Sequence, residues 1–146
     1  MNETRLNAIL LTQLAATWFM VGLIWLVQIV HYPLFSRVGA ANFSVYARRH
    51  QRLMTFVVAP PMIVELFCSA LIVWARPASA LAWIGAGLAA AIWLSTALVQ
   101  VPMHERLSGG FDARGHALLV RTNWLRTAAW SARGVLAIVM LATWWR

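Results

Sequence analysis

Glu65 lies in an apolar run, Phe56 to Trp74, that contains no other charge. A carboxylate costs several kcal/mol to place in hydrocarbon, so an ionisable residue at such depth marks a functional site by default. Polar side chains recur at helical spacing toward the same side. Gln28, His31 and Tyr32 stand at i, i+3 and i+4, and Trp18 and Trp25 carry that face on at intervals of seven. Gln100 and His104 are four apart, with Pro102 between them. His116, Asn123 and Trp130 repeat at seven, and Arg126 and Arg133 repeat at seven on the adjoining ridge. Such sets face a bundle interior.

Two chemistries suit these residues. Neutral imidazole and carboxylate are first-row metal ligands, so His31, His50 and His104, with Glu65 or His116 added, could hold a transition metal. A haem b between His31 and His104 is a variant of this site, flanked by Gln28, Gln100 and Trp25. No H-x-x-x-H, Glu-x-x-His or C-x-x-C spacing occurs, and one buried acid cannot build a di-iron carboxylate centre. The second chemistry needs no cofactor. A lipophilic phenol, quinone or polyketide would lose a proton to a histidine or Glu65. Arg126, Arg133 and Asn123 would then stabilise the oxyanion, while Gln28 and Gln100 orient it. A plainer reading also stands beside these: Glu65 and Arg133 form a structural ion pair, and the interfacial histidines are hydrogen-bonding residues.

The elements that must position these groups follow from composition. The chain has 146 residues, 62% hydrophobic and 11% charged, against about 25% charged in a soluble domain, which makes it a membrane protein. Four apolar segments reach the roughly 20 residues that cross a bilayer: about 9–31, 55–75, 80–101 and 126–145. Arg76-Pro77-Ala78-Ser79 joins the second to the third as a tight turn. All twelve cations are Arg. Arg37, Arg48, Arg49 and Arg52 lie in one connection and Arg106, Arg114 and Arg121 in another, with Arg5, Arg76 and Arg146 opposite. The positive-inside rule makes the arginine-rich connections cytoplasmic and puts both termini outside a bacterial inner membrane. Trp74, Trp83, Trp144 and Trp145 would then form the outer aromatic belt.

The expected fold is an all-α integral-membrane four-helix bundle, one domain over 1–146, with helices 2 and 4 extended into the cytoplasm. Asn42 is expected to cap helix 2 and Asp112 helix 4. Pro60-Pro61 is expected to kink helix 2 and free carbonyls near Glu65. No internal repeat is apparent. Glu65 lies about 16 Å deeper than residue 54, so the polar residues would line a funnel with Glu65–Arg133 at its floor. The net charge of +8 is read as lipid-facing and orienting, not as a nucleic-acid footprint. Cys68, the single cysteine, forms no intrachain disulfide and is read as a packing residue.

The first-span exit Gln28-Ile29-Val30-His31-Tyr32-Pro33 and the fourth-span start with Asn123-Trp124 and Arg126 resemble the small four-span bacterial membrane proteins of the anthrone-oxygenase-like type. That resemblance implies an oxygenase. Together these observations lead to a membrane-embedded oxidoreductase or oxygenase-like protein with a His/Glu metal or haem site near the cytoplasmic face. Its partners would be the bilayer and a lipophilic quinone or phenolic substrate. The alternatives are a non-catalytic subunit of a homo-oligomer or larger membrane complex, and a proton-linked transporter using Glu65.

Overall fold

In the computed structural model, residues 1–145 are described and no strand occurs among them; Arg146 lies outside the described residues. Four helices are long and apolar enough to cross a membrane. They are α1 (Glu3–Arg37), α2 (Ala40–Ala75), α3 (Ala80–Ser108) and α4 (Ala113–Trp144). Each packs on the next, and α4 returns to α1, closing a bundle. Large apolar side chains such as Phe19, Phe56, Phe67, Leu98 and Leu125 cover the outside, a surface compatible with a lipid bilayer.

The turns are set locally. Asn2 caps α1, its Oδ1 accepting from the Arg5 N–H at 3.0 Å. The 76–79 turn closes through Ser79 N–H to the Arg76 carbonyl. Asp112 caps α4 by accepting from the Arg114 N–H at 3.0 Å. The backbone N–H groups of Gly115 and Arg114 and the Arg106 guanidinium hold the Asp112 carboxyl below its usual range. The start of α2 differs from expectation. Gly39, not Asn42, stands at its N-cap, because φ of +80° there turns the chain straight from α1 into Ala40. α2 then runs through Pro60 and Pro61 as one helix.

Both helices that precede an arginine-rich connection widen into a π turn. In α1 the turn is Val27–His31, and in α3 it is Thr96–Gln100. Tyr32 N–H bonds back to the Val27 carbonyl and Val101 N–H to that of Thr96. A proline follows each turn, Pro33 and Pro102. A proline ring clashes with the carbonyl four residues back, and a widened turn relieves that clash. The same turns hold Gln28 and Gln100 in the interior, each 2% exposed.

The burial pattern reveals an internal repeat that inspection of the chain does not. Gln28 and Gln100 are 72 residues apart, and so are Gln51 and Asn123, and Thr55 and Thr127. This offset carries Leu26-Val27-Gln28 onto Leu98-Val99-Gln100. It also carries Arg49-His50-Gln51-Arg52-Leu53-Met54-Thr55 onto Arg121-Thr122-Asn123-Trp124-Leu125-Arg126-Thr127. Buried positions keep the same register: Leu10 and Ala82, Thr17 and Ala89, Met20 and Ile92, Ala47 and Leu119, Met62 and Gly134. The two hairpins, α1–α2 and α3–α4, thus share one pattern of buried positions, as paired repeats in membrane proteins do.

Candidate functional site

A cavity of about 570 Å³ lies between α1, α2 and α3 toward the arginine-rich end. The repeat explains its position. Gln51, Met54, Thr55 and Val58 of α2 line it. Their counterparts on α4 are Asn123, Arg126, Thr127 and Trp130, all buried within the bundle. Val58 is far smaller than Trp130, which is packed against Met20, Val21 and Ile24 of α1. The first hairpin thus lacks the bulk that fills the second. Met20, Ile24, Met62 and Trp93 form the apolar depth of the cavity; Arg48, Gln51, Arg52 and Glu105 stand at its polar end.

A relay of amides fixes one wall. Arg126 Nη1 donates to Asn123 Oδ1 at 3.0 Å. Asn123 Nδ2 donates to Gln28 Oε1 at 2.8 Å, and Gln28 Nε2 to the Val120 carbonyl at 3.2 Å. Across the cavity, Gln100 Nε2 donates to Thr122 Oγ1 at 3.2 Å. The relay leaves two atoms over. Arg126 Nε and Gln100 Oε1 are buried without a hydrogen-bond partner, in residues that both line the cavity. Such an atom costs about 1–3 kcal/mol if nothing satisfies it. One is a donor and the other an acceptor.

The histidines gather at the polar end. His31 Nε2 and His50 Nδ1 share a hydrogen bond of 2.9 Å, so at least one of these rings is neutral. His104 Nε2 meets Tyr32 Oη at 3.0 Å, and its ring lies 5.7 Å from that of His50. His116 Nε2–H donates to the Tyr32 carbonyl at 2.8 Å, tying α4 to the end of α1. His50 and His104 line the cavity; His31 sits behind them, edge-on to Phe35. Among the described residues no three His, Cys, Asp or Glu side chains come together as a metal-holding group. The facing nitrogens of His31 and His50 bind each other, and His31 has no place on the cavity wall opposite His104.

Glu65 does not join this cluster. Its Oε1 accepts from Thr17 Oγ1 at 2.9 Å and from Arg133 Nε. Arg133 also donates to the Gly85 carbonyl through Nη1 and to Ser69 Oγ through Nη2 at 2.9 Å. Groups from α2, α3 and α4 therefore meet at one guanidinium, and Thr17 of α1 joins them through Glu65. The funnel expected from the sequence ends above this knot, because Met62, one turn from Glu65, helps to floor the cavity. Trp25 also lies apart: it is 43% exposed, bonds Ser131 Oγ at 3.1 Å and packs edge-on against Trp124. Thr17 and Ser69 are polar partners that their types alone did not single out. The shared 72-residue offset of the two glutamines was the available signal for the cavity wall.

No family model matches the chain, nor does any curated protein or solved structure.

Proposed function

We propose that the chain is a multi-pass protein of a bacterial inner membrane, with both termini outside and the ends of α2 and α4 in the cytoplasm. In this reading it is an oxidoreductase or oxygenase-like protein acting on a lipophilic phenol or quinol in the cavity. The observation that carries the reading is the meeting of Gln100, His104 and Arg126 on the lining of one cavity whose depth is apolar. A phenolic hydroxyl held there would accept from the Arg126 guanidinium and donate to His104 Nδ1, with Gln100 orienting it. A ketone or an ether could accept from Arg126 but has no proton to give His104.

The same wall supports proton removal. With His104 Nε2–H donating to Tyr32 Oη, the Nδ1 lone pair of His104 is left to take the phenolic proton. The phenolate formed is held by Arg126, whose orientation the Asn123–Gln28 relay fixes in advance. An electron-rich ring of this kind is the state from which dioxygen or a quinone can accept electrons. The resemblance to anthrone-oxygenase-like proteins points the same way. Glu65 serves in this reading as a structural anion, since its partners are already in place.

Equilibrium binding of a long-chain alkyl phenol to the detergent-solubilised protein tests the proposal. Arg126→Met and Gln100→Leu should each weaken binding about 10- to 100-fold, the range for a hydrogen bond to a charged or buried polar group. Unchanged affinity in both variants would refute it. Oxygen uptake with the same phenol, lost in His104→Ala, would mark the oxygenase form.

A further inference from the structure

Resting on that reading, we infer that the substrate carries a long apolar chain and reaches the cavity sideways, through a window between α2 and α3. The window has visible edges. Thr55 on α2 and Val101 on α3 both line the cavity and both are exposed on the outer surface. Around them stand Leu53, Phe56 and Leu98, respectively 55%, 69% and 71% exposed, so the opening gives onto the apolar belt. At the arginine-rich end the two helices are tied together again, Arg48 Nη1 donating to the Ser108 carbonyl at 3.1 Å. That tie holds the helix ends together on the polar side of the window.

The second hairpin shows what a closed window looks like. Between α4 and α1 the corresponding gap is covered by Trp25 and Trp124, stacked edge to face with ring centroids 5.7 Å apart. Trp25 is further pinned by Ser131. The 72-residue offset places Ala97 opposite Trp25 in register and Arg52 opposite Trp124. Neither can form the aromatic seal. The hairpin with the large interior side chain, Trp130, also carries the seal, and the hairpin with Val58 in its place carries neither.

The order of polarity fixes how the ligand lies. Arg48, Gln51, Arg52 and Glu105 stand at one end of the cavity, with Met20, Ile24, Val58, Met62 and Trp93 deeper. A lipid in the leaflet at the arginine-rich side has the same order, polar head at the interface and chain toward the midplane. An alkylated or prenylated phenol therefore enters without turning over or leaving hydrocarbon. Its hydroxyl meets Gln100 and Arg126, and its chain runs down toward Met62 and Trp93.

Photolabelling of the full-length protein in neutral phospholipid vesicles tests this, using an alkyl phenol with a diazirine at the far end of its chain. Peptide mapping should find the label on the segments holding Met62 and Trp93. Ala97→Trp, at an exposed site, should abolish that labelling in vesicles by restoring half of the seal, while thermal unfolding stays unchanged. Label spread over the outer faces of all four helices, or none on the protein, overturns the inference. The Arg126→Met/Gln100→Leu variant separates the two claims. If it keeps the deep label, the chain site stands and the hydroxyl reading falls. If a chainless phenol binds in an Arg126-dependent way while the deep label is missing, the hydroxyl reading stands and the chain site falls.

Discussion

Arg133 and Arg126 sit seven residues apart on one helix and do opposite things. Arg133 has all three nitrogens engaged, by Glu65, Gly85 and Ser69, and its side chain is 1% exposed. It is a clasp, and its chemistry is finished within the fold. Arg126 has Nη1 engaged by Asn123 and Nε without a partner, in a side chain that lines a cavity. The sequence placed both at interior positions, because a seven-residue interval returns to nearly the same helical face. It could not rank them, because the difference lies in which partners other helices bring. Removing one member of the clasp leaves a buried charge alone, so Glu65→Leu should destabilise the protein by about 3–5 kcal/mol. Glu65→Leu with Arg133→Met should cost less than the single change, since both charges leave together. Thermal unfolding of the two variants in detergent checks this; additive losses would contradict the clasp.

At the scale of elements, the four helices were legible because about 20 apolar residues between arginine-rich or Pro/Ser-containing connections admit little else. The Asp112 cap and the 76–79 turn were legible for the same local reasons. The start of α2 was not, since Asn42 is the better cap by type and Gly39 prevails through a backbone angle. Neither π turn was legible, as each answers a proline further along. The repeat escaped notice because few of its residues are identical; what persists is which positions are buried. It yields a direct exchange experiment. Val58→Trp places in α2 the side chain that α4 carries at the equivalent position, and should close the cavity, raise the unfolding temperature and abolish alkyl-phenol binding. Trp130→Val does the reverse in α4 and should cost about 3 kcal/mol as a new cavity opens. Calorimetry of both variants, with binding measured on the first, decides whether side-chain bulk accounts for the difference between hairpins.

For the whole molecule, the proposed orientation rests on the contrast between the arginine-rich connections and the opposite end, whose only arginines are Arg5, Arg76 and Arg146. With Cys68 replaced by Ser, single cysteines at Asn2, Ala78 and Ser44 give a direct readout. A thiol reagent that cannot cross the inner membrane should label the first two in intact cells and the third only after the membrane is opened. The inverse pattern would move the cavity's polar end to the other face. The paired hairpins also bear on how such a protein could arise. Two identical hairpins, side by side, would each need every packing residue. Once joined in one chain they no longer mutate together, and either copy can change while its sister does not. A lineage founded on such a fusion could carry tryptophans on one side and not on the other, and such an ancestry would leave room for a single, one-sided pocket.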